Sequence, residues 1–146
     1  MTSTRVHVSF RELRRAVRHH EAAAAQITPR GNRSAMLLLF YATECALKAV
    51  VLRQRNAAST EALDDSLRSH DLGALTKSLR VSAEVGRDVE ATYDRRANQG
   101  RPMPKVSLAR THEVWRYGAN LTDDSNARVK VLLDRLRDWA RNELSL

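Results

Sequence analysis

The sequence predicts an all-α fold, a single-domain bundle of five to six helices. Three observations carry that expectation. Apolar side chains recur at spacings of three and four in several separate stretches, and no stretch shows the alternation of a half-buried strand. Only five glycines and three prolines interrupt 146 residues, and the common residues Ala, Leu, Arg and Glu are good helix formers. Residues 35–52 (AMLLLFYATECALKAVVL) are apolar nearly all round a helix, which marks a central helix packed by neighbours on several sides. A chain of this length fits one domain over 1–146 with a real core. Its 42% hydrophobic and 29% charged residues belong to a globular protein rather than a disordered one.

Taken in order, residues 1–8 read as a short flexible arm. Ser9 and Glu12 form a capping box, with Ser9 as N-cap and Glu12 reaching back. The helix it opens runs to about Gln26, with Phe10, Leu13, Val17 and Ala24 or Ala25 on its inner stripe. Pro29, Arg30, Gly31 and Asn32 make a turn, and Asn32 or Ser34 caps the central helix. Beyond Gln54 the chain turns polar, and a short helix is expected from Thr60 to about Arg68. His70 and Asp71 stand at the boundary of a further helix through Leu79, built on Leu72, Leu75 and Leu79. Another helix is expected over 83–98, capped by Ser82 and anchored by Val85, Val89 and Tyr93. Pro102 and Pro104 stop it. Residues 105–121 are the least periodic part. Thr122 to Ser125 then start the last helix, with acids where the helix dipole favours them, and Val129, Leu132, Leu133, Leu136, Trp139, Ala140 and Leu144 follow at three-four spacing.

Charge is unevenly spread. The formal net charge is +8, and residues 1–34 hold seven basic side chains against two acidic ones, while 93–122 hold six against two. Such patches suit RNA or another polyanion, and Arg11, Arg14, Arg15, Arg18, Arg101 and Lys105 are the expected phosphate contacts. The competing explanation is that arginine outnumbers lysine 21 to 4 through codon bias and that these faces are merely solvated. Glu44 and Lys48 inside the apolar run, with Arg33, Arg53 and Arg55 around it, read as a core helix and not a membrane span. No secretory signal is visible at the N-terminus. The single cysteine, Cys45, lacks an intrachain partner, so a cytoplasmic setting is expected.

Tyr41, Glu44 and Lys48 share one helical stripe, and Glu44 precedes Lys48 by four residues, the favourable order for an ion pair. An acid and a base on such a helix must be solvated, paired, or facing a cleft or partner. His70 reads either as a boundary residue or as an imidazole set against Glu44 or Lys48. Trp115 and Tyr117 read as core anchors with Arg116 exposed, or the Arg116 guanidinium turns inward to Glu44. No metal or cofactor is expected. His19 and His20 are adjacent and point about 100° apart on a helix. His7, His70 and His112 have no partner at metal-site spacing. Phosphate-binding glycine loops and nucleophile elbows are absent from the sequence, and Cys45 reads as buried packing.

Tyr41–Lys48 (YATECALK), then His70-Asp71-Leu72, then Trp115-Arg116-Tyr117, in that order and spacing, resemble the HEPN superfamily. These are small helical domains of bacterial toxin–antitoxin and phage-defence systems, and the resemblance spans residues 9–144. It implies an α-helical bundle that dimerises. Active members are metal-independent endoribonucleases, with an arginine followed four to six residues later by histidine. Here Arg116 holds the family-like position and no histidine follows it. Arg14…His19 and Arg15…His20 match the spacing, but in the first helix. The resemblance therefore implies a divergent or inactive RNA-binding member, probed by the salt dependence of its RNA binding. One alternative is a ribonuclease toxin with a rearranged site built from Glu44, Lys48, His70 and Arg116, with Tyr117 and His112 nearby and His70 as proton carrier. Another is a non-catalytic assembly subunit that binds a partner from the same operon, such as a nucleotidyltransferase.

Overall fold

The computed structural model describes residues 6–29, 32–82, 90–94 and 105–145, with the backbone alone at 90, 93 and 94. The chain is an all-α bundle, with six α-helices and a small three-stranded sheet among the described residues. Helix α1 (Phe10–Ala25) opens on the Ser9–Glu12 capping box, in which each residue satisfies the other's backbone N–H. Leu13, Val17 and Ala24 face inward, and Phe10 packs partly against the core; Ala25 is exposed. Helix α2 (Arg33–Gln54) is capped by Asn32, whose side chain accepts from the Ser34 N–H at 2.8 Å.

Length and hydropathy would let α2 cross a bilayer, yet most of it is buried inside the bundle. It packs against α1, against the last helix and against two short helices. Met36, Phe40, Leu47 and Leu52 are wholly buried along it, and each such side chain contributes about 1.5–3 kcal/mol.

The segment after α2 departs from a single helix over 60–68. A 3₁₀ turn (Thr60–Ala62) and α3 (Asp65–Arg68) are separated because Leu63 adopts extended backbone and buries its side chain in the core. Helix α4 (Leu72–Ser78) is capped by Asp71, whose carboxylate accepts from the Ala74 N–H at 3.0 Å. Leu72, Leu75 and Leu79 are all buried beneath it.

The helix expected over 83–98 is corrected at its centre. Residues Glu90–Asp94 form strand β1, flanked antiparallel by β2 (Lys105–Ser107) and β3 (Asn120–Leu121). Ala91 pairs with Val106 and Tyr93 with Leu121. Thr and Tyr favour extended backbone, and both partner strands come from the aperiodic segment after the proline pair, so local spacing carries no sign of the pairing. The expected anchors Val85 and Val89, the turn residues Arg30 and Gly31, residues 1–5, and the stop at 99–104 with Arg101 lie outside the described residues.

Helix α5 (Thr111–Arg116) ends on Gly118, whose φ of +82° suits glycine. Helix α6 (Asp123–Leu144) starts on Thr122 and buries Val129, Leu132, Leu133, Leu136 and Ala140. It also buries Arg137, 5% exposed. That guanidinium donates to Glu21 at 3.0 Å, to the Thr43 hydroxyl at 3.1 Å and to Asp134. Arg141 adds a second arginine to Glu21. Burial pushes the Glu21 carboxyl up, but the hydrogen bonds from Arg141 and Arg137 outweigh it and hold it below its usual range.

The arm is fastened at its end. Val8 donates its N–H to the Thr60 hydroxyl at 3.0 Å and accepts from the Thr60 N–H at 2.9 Å. Ser9 and Ser59 pair antiparallel alongside.

Candidate functional site

Three stretches distant in sequence meet at the stripe of α2 that carries Tyr41, Glu44 and Lys48. Glu44 and Lys48 are 6% and 8% exposed, so their charges need partners. Lys48 Nζ donates to Glu44 Oε2 at 3.0 Å and to the Arg68 carbonyl, at the end of α3, at 3.1 Å. The other carboxylate oxygen, Oε1, lies 2.5 Å from His70 Nδ1. An ionised carboxylate only accepts, so the imidazole donates through Nδ1 and its Nε2 is left for another partner. Asp71 takes the capping role at the start of α4, and His70, directly before it, turns to the central helix with 45% of its side chain exposed.

The rings form a continuous row. Tyr41 lies 5.7 Å from His70, His70 lies 5.0 Å from His112, and His112 lies 4.9 Å from Phe40, between ring centroids. At the other end His20, from α1, stands 6.2 Å from Tyr41. His112 is buried, and its Nδ1 donates to the Ala109 carbonyl at 2.9 Å. Burial, then the neighbouring His70, holds the His112 imidazole below its usual value. Burial, then His19, does the same to His20, with Glu44 acting in the opposite sense.

Arg116 departs from the inward pairing with Glu44. It is exposed, and its guanidinium donates to the Tyr41 hydroxyl at 3.2 Å. The Tyr41 side chain therefore stands between Arg116 and the histidines. The reason is positional. Arg116 is the last residue of α5, and Gly118 turns the chain away directly afterwards. Trp115 is buried as a core anchor, whereas Tyr117 is 77% exposed and anchors nothing. Cys45, next to Glu44, has its thiol pushed up to about 11 by burial and by the Glu44 carboxylate, so it is a poor nucleophile.

Glu44, Lys48, His70 and His112 thus come together, Arg116 joins them through Tyr41, and Tyr117 stays outside. Tyr41 and His20 are the members that spacing did not single out as site residues. A signal existed for both. Tyr41 begins the Glu44–Lys48 stripe, and His20 falls seven residues after Leu13, on the inner stripe of α1. Arg15, though at motif spacing from His20, is exposed and lies about 140° away round the helix. Among the described residues no three His, Cys, Asp or Glu side chains are grouped to hold a metal ion.

The arrangement offers a carboxylate-oriented imidazole, a phenol, and a guanidinium at one surface. The basic side chains Arg11, Arg14, Arg15 and Arg18 are all exposed on α1, and Lys105 is exposed on β2; the Arg14 guanidinium lies 5.6 Å over the Phe10 ring. No protein-family model matches the chain, and no curated protein or solved structure does either.

Proposed function

We propose that this chain is a divergent HEPN-like RNA-associated protein of a bacterial defence or toxin–antitoxin system, and that its histidine–tyrosine cluster cleaves RNA without a metal ion. The observation that carries the reading is the contact of His70 Nδ1 with Glu44 Oε1 at 2.5 Å, on a carboxylate also held by Lys48. Glu44 orients the ring and supports the imidazolium that forms when Nε2 takes a proton. The ribose 2′-hydroxyl gives that proton to His70 as its oxygen attacks phosphorus. The bond from phosphorus to the 5′-oxygen breaks, and Tyr41, whose oxygen already accepts from Arg116, donates its hydroxyl proton to the leaving oxygen. Arg116 carries the charge that builds on the phosphorane. The products are a 2′,3′-cyclic phosphate and a 5′-hydroxyl.

Two further observations support RNA as the substrate. The exposed arginines of α1 supply a phosphate-binding face, and Arg116 is exposed to an incoming strand. Tyr117, exposed next to Arg116, offers a second copy of the chain an aromatic contact beside the cluster, which suits a homodimer.

The test is incubation of the purified protein with RNA in EDTA. The wild type yields cyclic-phosphate ends, and His70→Ala, Tyr41→Phe and Arg116→Ala each lower the rate by about 10²- to 10⁴-fold. Cleavage that persists unchanged in His70→Ala overturns the assignment. RNA binding with no cleavage in any preparation overturns the cleavage reading and leaves the binding function alone.

A further inference from the structure

Glu44 and Lys48 also form part of the wall of a cavity of about 490 Å³, within the size range of small-ligand pockets. Val6, Val8 and Leu13 line it with apolar surface, and Thr60, Asp65 and Arg68 contribute polar surface. Its ionisable groups fix what kind of ligand suits it. Lys48 and Arg68 are balanced by Glu44 and Asp65, and the Cys45 thiol on the same wall stays neutral. A wall of zero net charge gives no preference to a bare phosphate. A neutral, flat group with one apolar face and a polar edge fits it better.

The hydrogen-bond inventory narrows the choice further. Lys48 uses two of its three N–H donors, on Glu44 and on the Arg68 carbonyl. Arg68 Nε is buried with no partner among the described residues, a costly state unless something completes it. The Thr60 oxygen accepts from Val8, which leaves its O–H to donate. Donors therefore predominate, and they call for a ligand edge with adjacent acceptors. Guanine presents O6 and N7 side by side, the pair that Lys and Arg read most often, whereas adenine replaces one acceptor with an amino donor. Asp65, which already accepts an N–H of the Arg68 guanidinium, fixes that side chain at the wall.

We propose that this cavity is a base-recognition pocket that takes a guanine of the RNA next to the scissile phosphate, a specificity subsite that rests on the cleavage reading above. The Glu44–Lys48 pair is common to the catalytic cluster and the pocket, so a base seated here delivers its phosphate beside His70.

Isothermal titration of the full chain with guanosine, the four 5′-nucleoside monophosphates and inorganic phosphate tests it. Guanosine and GMP bind with similar affinity, and GMP binds about tenfold or more tighter than AMP, CMP or UMP. Arg68→Met weakens GMP by a similar factor. So does Val6→Trp, which changes an exposed side chain at the wall and leaves the core untouched. Equal affinity for all four nucleotides, displacement of GMP by phosphate, or affinity unchanged in both variants overturns the pocket. The two readings fail separately. GMP binding without cleavage in EDTA keeps the pocket and overturns catalysis, whereas cleavage at every nucleotide alike without GMP binding does the reverse.

Discussion

At the scale of single residues, the cluster is governed by which side chains are kept neutral and which are paired. His112 and His20 are both held below the usual 6.5 by burial. A histidine whose folded value is depressed leaves the unfolded chain binding more protons between the two values. The stability that these rings contribute is thus complete above about pH 6.5 and falls as the pH drops through the window beneath it. Urea melts at pH 7.5 and 5.5 check this: the midpoint drops at the lower pH, and His20→Gln shrinks the difference. Glu21 acts in a separate, more acidic window. Its folded value is lowered, so its contribution is present above the usual 4.5 and is lost as the pH falls below it. The Glu44–Lys48 pair was legible in the sequence because an acid and a base four residues apart on an apolar helix have few alternatives. Its third partner, His70, was one of two open readings, since nothing local distinguishes a boundary histidine from one that reaches across the fold. An exposed Arg116 was likewise one of two open readings, whereas its contact with Tyr41 was not legible, because it depends on where a six-residue helix ends.

At the scale of elements, α1 and α6 are joined through Arg137 and Arg141 on Glu21. Removing one partner of a buried pair strands the other. Glu21→Ala should therefore destabilise the fold by about 3 kcal/mol, at the low end for such pairs because Thr43 and Asp134 still hold Arg137. Chemical denaturation measures it, and a double change with Arg137→Leu should recover most of the loss. The long helices were readable from periodicity and capping alone: Ser9, Asn32 and Thr122 each cap the helix that follows. The buried Arg137 was hidden, because an arginine one position past Leu136 looks like the edge of the apolar stripe. Strand β1 was hidden for a different reason. In the sequence, the spacing of Val85, Val89 and Tyr93 mimics a helix running into it, while the partners of β1 lie beyond the proline-rich stop.

At the scale of the whole molecule, part of the charge surplus lies in the four exposed arginines of α1. If the four exposed arginines of α1 each neutralise one RNA phosphate, the logarithm of the binding constant should fall against that of salt concentration with a slope of about −3. Fluorescence anisotropy on a single-stranded RNA between 50 and about 300 mM salt reads it, and a slope near zero would place the binding surface elsewhere. Composition made this surplus visible but not its relation to the cluster, which depends on how α1 rotates its flank towards Tyr41. The clasp between Val8 and Thr60 has a thermal consequence. Two hydrogen bonds and half-buried apolar contact hold that segment, against the interlocked interior that holds the long helices, so it peels away at a lower free energy than global melting requires. On warming, the cavity should lose its valine-lined side and release its occupant while circular dichroism still reports an intact bundle.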